Sequence, residues 1–271
     1  MNERIQKVLA NAGLGSRRQL EAMIKEGRIL VNGQVAKLGD KISEQDDVTI
    51  DGKPVRRHQK QVVPRVIVYH KPVGEICTRN DPEGRPTIYK KLPKPDIGRW
   101  VAVGRLDINT SGLILLTTDG ELANRLMHPS YSIPREYSVR VLGNVSDEQL
   151  EQLVHGIQLE DGPARFEEIV DAGGEGANHW FYVLLAEGRN REVRRFWEAV
   201  GLTVSRLIRV RYGPVFLEPR LKTGWWEELN ADQTKELYQI VNLTAPVSQS
   251  VDKRVSKKQT KKTSHKKKRR K

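Results

Sequence analysis

Apolar residues in the first sixty positions follow a helical period and then a strand period. Ile5, Val8, Leu9 and Ala12 recur at three- and four-residue spacing, which predicts an amphipathic helix ended by Gly13 and Gly15. Ser16, with Gln19 three residues on, reads as a capping box. It opens a second predicted helix over residues 17–26, with Leu20, Met23 and Ile24 inward and Gly27 as the stop. Asn32-Gly33 between Ile29-Leu30-Val31 and Val35 predicts a tight hairpin. Val48-Thr49-Ile50, ahead of Asp51-Gly52, predicts a further strand and turn.

Residues 53–65 are polar and basic, with Pro54 and Pro64, and read as a linker. A new apolar run begins at Val66-Ile67-Val68-Tyr69, and Trp100-Val101-Ala102-Val103 predicts another strand. That strand enters a polar turn bounded by Gly104 and Gly112, which carries one carboxylate, Asp107. Leu113-Ile114-Leu115-Leu116 follows as a buried strand. Asp119 reads as the N-cap of a helix with Leu122, Ala123, Leu126 and Met127 inward. From Pro134 to Val141 the alternation is strict and turns Tyr137, Val139 and Val141 to one face. Phe181 to Leu185 is another strand, and a helix from near Arg191 carries the stripe Val193, Phe196, Trp197 and Val200. Arg206 to Tyr212 reads as a strand with Ile208 and Val210 on one face and Arg209 and Arg211 on the other. Trp225-Trp226 precedes a last helix over residues 231–241.

The chain has 271 residues and a formal net charge of +13. Residues 251–271 hold twelve Lys/Arg and one Asp, a charge of +11, so the other 250 residues carry only +2. Basicity is therefore mainly a property of the tail and does not by itself make the folded part a nucleic-acid binder. One cysteine, Cys77, excludes an intramolecular disulfide and a cysteine-based zinc site, and the six histidines show no ligand spacing, so no metal is expected. No apolar run approaches the roughly 18 residues that span a membrane. The chain opens directly into an amphipathic helix, not a signal peptide, and a soluble cytoplasmic protein is expected.

Several polar positions admit both a structural and a chemical reading. Asp107 is an ordinary turn residue or a carboxylate held rigidly at the core's edge. Tyr137 is a core tyrosine or one facing a site. On a helical wheel Arg195 falls in solvent, while Arg194 lies about 100° from Val193, at the border of the apolar stripe, where it wants a carboxylate or phosphate. Arg17 and Arg18 occupy a helix's first turn, against the dipole, which suggests phosphate contact. With Lys25, Arg28 and Lys37 they are either a grip on RNA or a solvated basic face. Arg79 and Arg85 sit in a long polar loop from Thr78 to Pro86 that either closes over a polyanion or is simply solvated.

The helix pair followed by tight β-turns, with Gly15-Ser16-Arg17-Arg18 and Val31-Asn32-Gly33, resembles the S4 RNA-binding domain. Gly104-Arg105-Leu106-Asp107 with Thr110-Ser111-Gly112, then Arg135-Glu136-Tyr137-Ser138-Val139, then Gly188-Arg189-Asn190-Arg191-Glu192-Val193-Arg194-Arg195, resemble the pseudouridine synthases, in that family's order. The branch resembled is the ribosomal one with an S4-like domain in front. The resemblance implies an α+β fold: an S4-like domain over 1–63 and a catalytic domain over 64–245 with a mixed, mainly antiparallel sheet flanked by helices; the charge run itself predicts a disordered polybasic tail over 246–271.

It also implies an enzyme that turns a uridine of 23S rRNA, or of a large-subunit precursor, into pseudouridine, with no cofactor and as a monomer. Asp107 matches the essential aspartate, which either attacks C1′ or removes a 2′ proton. Tyr137 matches the tyrosine that stacks on the base, and Arg194 the basic residue that pairs with the aspartate. Arg17, Arg18, Lys25, Arg28, Asn32 and Lys37 in the first domain would bind RNA, as would Arg79, Arg85, Arg105, Arg209 and Arg211 in the second. The rival readings are a synthase for 16S rRNA or another 23S position, a noncatalytic assembly factor, and a glycosidase. A glycosidase calls for a second carboxylate beside Asp107, which the motif lacks.

Overall fold

The computed structural model describes residues 2–55, 63–96 and 98–246. The basic stretch 56–60 of the expected linker and the polybasic tail from 247 onward lie outside the described residues.

The N-terminal unit pairs helices α1 (Ile5–Asn11) and α2 (Arg17–Lys25). Ser16 and Gln19 form the reciprocal capping box that the sequence predicts. Strands β1 (Ile29–Val31), β2 (Gln34–Val35), β3 (Val48–Ile50) and β4 (Lys53–Pro54) form an antiparallel sheet in the order β2-β1-β3-β4. Asn32 and Gly33 turn the first hairpin with φ of 49° and 80°, the left-handed pair such a turn needs. The expected linker thus begins later than residue 53, because Lys53–Pro54 closes this sheet. Ile5, Leu9, Leu20, Ile24, Ile29 and Val48 make the unit's own core.

The second unit is built on one mixed sheet, with nine strands among the described residues. Its main path runs through β5 (Val66–Lys71), β7 (Ser111–Thr117), β8 (Arg135–Leu142), β9 (Glu168–Glu175), β10 (Asn178–Leu185), β11 (Thr203–Tyr212) and β13 (Trp226–Glu228). The spatial order is β9-β10-β8-β11-β7-β5-β13, with β6 (Val101–Val103) beside β7 and β12 (Val215–Phe216) beside β11. Every pairing is antiparallel except β7 with β11.

Helices α3 (Gly120–Met127) and α6 (Ala231–Gln239) cover one face, packed on Val66, Val68, Leu113 and Leu115. Ile67, Tyr69, Ile114 and Leu116 enter the other layer with Phe166, Phe181 and residues of α4 (Asp147–His155) and α5 (Glu192–Ala199). A strand buried on both faces needs apolar residues at every position, and this is why Leu113 to Leu116 show no alternation.

The parallel contact brings Ser111 opposite Ile208 and Gly112 opposite Arg209. A Cβ on Gly112 would lie 2.3 Å from the Arg209 carbonyl oxygen, and Gly112 has φ of 111°. Only glycine can end the turn here.

Two strand-face expectations change. A bulge between β8 and β11 pairs Glu136 with Arg211 and Tyr137 with Arg209, leaving Val210 extra. The expected basic face is therefore split: Arg209 is buried, while Arg211 stays partly exposed. Arg195 is not free in solvent either. Its guanidinium is half-buried and donates to both carboxylate oxygens of Asp161, at 2.8 and 2.9 Å. Met127, expected inward, is 38% exposed. Strand β13, helix α4, strand β9 and the short hairpin of Ile157–Leu159 with Gly162–Ala164 go beyond the sequence-based expectations.

Candidate active site

The turn after β6, the strand β8, the start of α5 and the strand β11 surround a cleft of about 560 Å3. That volume lies within the range that holds a nucleoside-sized ligand. Asp107 and Tyr137 line it together, with Arg105 at the turn and Arg209 from β11. Arg135, Arg189, Arg191 and Glu192 complete its charged wall. Five arginines, Arg105, Arg135, Arg189, Arg191 and Arg209, against two carboxyl residues, Asp107 and Glu192, make the cleft electropositive.

The backbone around Asp107 is held at several points. Lys71, fully buried at the end of β5, donates from Nζ to the carbonyls of Asp107 (3.0 Å), Thr110 (2.8 Å) and Pro72 (3.0 Å). All three of its donors are thereby used. Burial lowers the Lys71 pKa, while Cys77, Glu75 and Asp107 act against that. The Thr110 N–H closes the turn on the Asp107 carbonyl at 3.0 Å, and the Gly74 N–H donates to the Ile108 carbonyl at 2.8 Å. Cys77 Sγ receives the Leu106 N–H at 3.4 Å, and burial raises the pKa of this thiol. The carboxylate thus projects into the cleft from a turn whose peptide groups are tied down.

Arg194 behaves differently from the expected partner of the aspartate. Its guanidinium is buried and donates to the carbonyls of Val204 (2.8 Å) and Asn109 (3.0 Å), not to the Asp107 carboxylate. It reaches the turn from behind and is not part of the cleft wall. Burial and then Arg191 lower its pKa; the charges of Asp107 and Glu198 raise it.

Arg209 donates from Nε to the Leu113 carbonyl at 2.8 Å and packs over Tyr212 at 5.1 Å. Arg135 packs over Tyr212 at the same distance. The Tyr212 hydroxyl donates to the Leu126 carbonyl at 2.7 Å, which anchors the aromatic plate between them. Arg209 Nη2 and Thr110 Oγ1 are buried without a partner among the described residues.

Glu192 is buried and accepts the Arg189 N–H at 3.0 Å. Its pKa is pushed up to about 7, first by burial and then by the neighbouring Glu187 carboxyl. The Arg189 guanidinium, 3.8 Å away, pulls in the opposite direction but is outweighed.

The remaining expected RNA contacts divide by what they touch. Arg28 is paired with Asp51 and Glu26, and Arg85 with Asp81 and Glu83. Asn32 ties its hairpin to Asp46 and Asp47. Arg211 donates to the Gly213 carbonyl and packs over Phe216. Arg79 packs over Tyr89 and donates to the Trp100 carbonyl. Arg17, Arg18, Lys25, Lys37 and Arg105 make no ion pair with an acid among the described residues, and Arg17, Arg18 and Arg105 are exposed.

A cleft of this size, with Asp107 and Tyr137 set among arginines, has room and charge for a nucleotide. Comparison with known proteins agrees. The family model for RNA pseudouridylate synthase matches residues 65–199, and the S4 domain model matches residues 3–48. The chain is 58% identical over 245 residues to the ribosomal large subunit pseudouridine synthase B of Vibrio cholerae, covering 90% of this chain and 76% of that one. It is 56% identical over 254 residues to the Escherichia coli K12 protein of the same name, covering 93% and 87%. This chain belongs to the RNA pseudouridylate synthase family. A crystal structure of a pseudouridylate synthase, 26% identical, superposes with a TM-score of 0.60 over 86% of this chain and 99% of that one.

In this pseudouridine synthase, sequence reasoning passed over Lys71, Arg135 and Glu192. Two of them carried a readable signal. Lys71 shares the strand face of Ile67 and Tyr69, and Arg135 shares that of Tyr137 and Val139, so alternation alone turns both inward. Glu192 lies one helical turn before Phe196, on the buried side of α5.

Proposed function

We propose that this pseudouridine synthase modifies a uridine in the RNA of the large ribosomal subunit, 23S rRNA, with Asp107 as the catalytic carboxylate. The supporting observation is the placement of Asp107 in the same cleft as Tyr137, on a turn whose carbonyls are held by Lys71. The two large-subunit enzymes to which the chain is similar over nine-tenths of its length support the choice of RNA.

In this reading residues 1–63 grip RNA and residues 64–245 carry out the chemistry. A stacked nucleotide hides C1′ and both uracil edges, so the uridine is flipped into the cleft. The N1–C1′ bond breaks, uracil turns, and C5 bonds to C1′. N1 gains a proton and C5 loses one, so the reaction balances without an oxidant, reductant or group donor. Asp107 starts it, either by attack at C1′ or by removal of the 2′ proton. Tyr137 stacks on the base and stands near the C5 proton that must leave. Arg194 acts through the turn: it holds the Asn109 carbonyl and supplies a positive charge behind the carboxylate.

The test incubates the wild type and Asp107→Asn with 23S and 16S transcripts and maps pseudouridine by carbodiimide treatment and primer extension. A new stop on 23S rRNA with the wild type, absent with the variant, is expected. No stop on either RNA would sink the reading, a stop on 16S rRNA alone would move the substrate, and an active Asn variant would remove Asp107 from the chemistry.

A further inference from the structure

A second cleft, of about 210 Å3, lies where the N-terminal unit meets the sheet domain. Asn11 and Arg17 contribute from one side, and Arg99, Thr118 and Asn124 from the other. It shares Val101 and Met127 with the wall of the active-site cleft, so the two are neighbours. The backbones close in beside it. A Cβ on Gly13 would lie 3.1 Å from the Gly98 Cα, and one on Gly98 would lie 3.1 Å from the Asn11 carbonyl oxygen. Both glycines have positive φ, at 83° and 74°. Lys7 lies 3.8 Å from Glu121 across the same seam.

The charges lining this cleft and that of Arg79 beside it are all of one sign. Arg28, Arg65, Arg85, Arg189, Arg195 and Arg220 are all paired with carboxylates. Arg17, Arg79 and Arg99 make no ion pair with an acid among the described residues. The charged side chains that oppose the Arg99 cation are Arg79 and Arg17, and these join burial in lowering its pKa. Arg79 is held toward the cluster by its packing over Tyr89, at 4.3 Å, and its bond to the Trp100 carbonyl. Cations gathered without a carboxylate repel one another and oppose folding, so placing Arg17 and Arg99 beside Arg79 costs stability. A guanidinium fork is suited to a phosphate, which would relieve the repulsion.

We propose that the seam cleft is a phosphate-binding site for the RNA backbone, in which Arg17 and Arg99, flanked by Arg79, hold a phosphate close in the chain to the flipped uridine. This rests on the reading that the protein acts on RNA, and adds where the strand runs between the two domains. The contact would set the register of the strand, because it lies beside the active-site cleft on a seam of closely apposed backbones.

The test uses the full chain as wild type, Arg17→Gln, Arg99→Gln, the double variant, and Arg220→Gln as a control that removes the same charge from a paired arginine elsewhere. Affinity for a 23S rRNA transcript is measured across a salt series, and Tm by thermal melting. The double variant is expected to bind about tenfold more weakly at moderate salt, with the slope of log affinity against log salt shallower by about 1. Arg220→Gln is expected to leave both near the wild type. The Tm of Arg99→Gln is expected to hold or rise, since a repelling charge is gone. Unchanged affinity and slope in the double variant would overturn the site, and so would a Tm fall in Arg99→Gln, which would give the arginine a structural role. If inorganic phosphate alone raised the wild-type Tm while RNA affinity stayed unchanged in the variants, the assignment to RNA would fall. Pseudouridine mapping on the wild type separates the two readings: loss of RNA affinity in the double variant, with no pseudouridine made by the wild type, would keep this site and reject the proposed reaction.

Discussion

At the scale of single residues, the site depends on a lysine that contacts no reacting atom. Each buried carbonyl that loses its donor costs about 1–3 kcal/mol. Lys71→Met removes the donor to the Asp107, Thr110 and Pro72 carbonyls together. It is expected to lower Tm by on the order of 10 °C, and to lower the single-turnover rate on rRNA about a hundredfold because the turn is no longer aimed. A variant with normal Tm and rate would show that the turn holds itself. Glu192 gives a pH signature. Its carboxyl ionises near 4.5 in an ordinary setting and at about 7 in the fold, so between those values the folded state binds more protons than the unfolded one. Stability should therefore fall as pH rises from about 4.5 to about 7 and level off above that. Chemical denaturation of the wild type and Glu192→Gln across this range checks it: the glutamine variant should show a flatter dependence and gain relative stability at the alkaline end. An identical slope in both would place the titration elsewhere.

At the scale of elements, the parts legible in the sequence were those whose cause is local. The Ser16–Gln19 capping box, the Asn32-Gly33 turn, the Asp119 N-cap and the alternation of Tyr137, Val139 and Val141 depend on neighbours a few residues away, and each appears as expected. What failed was set by distant partners. The bulge that buries Arg209 exists only against β8, and Arg195 leaves solvent only because Asp161 stands across from it. Arg194 found carbonyl acceptors on β11 and on the Asp107 turn, which no helical wheel contains. Asp107 and Tyr137 were legible as a pair through the motif resemblance, and the structure shows the cleft that joins them. Gly112 connects these levels, since it is where the turn becomes β7 and touches β11. Gly112→Ala would force a Cβ to within 2.3 Å of the Arg209 carbonyl oxygen and a side chain into φ of 111°. It is expected to destabilise the protein by about 3 kcal/mol or more, through combined overpacking and backbone strain. A denaturation midpoint close to that of the wild type would mean that β7 and β11 can separate at little cost.

At the scale of the whole molecule, charge is divided between a nearly neutral folded part and a strongly basic tail. Residues 1–250 carry +2 and residues 251–271 carry +11. The folded part nonetheless concentrates cations where RNA would lie, since the active-site cleft presents Arg105, Arg135 and Arg209 and the seam cleft presents Arg17 and Arg99. These two sources of affinity should be separable. A run of lysines and arginines acts through counterion release, which is strong at low salt and indifferent to sequence. In the proposed reading the clefts act on a positioned nucleotide, and their lining comes from residues 10–212. Removing residues 251–271 is therefore expected to weaken binding to rRNA at moderate salt and to flatten the salt dependence by several phosphate equivalents. The single-turnover rate at saturating enzyme should stay at the wild-type value, because in the proposed reading the same turn, tyrosine and arginines would surround the bound uridine. A lower rate at saturation would instead mean that the tail helps to open the RNA or to seat the nucleotide, and that the chemistry is not confined to the folded domains.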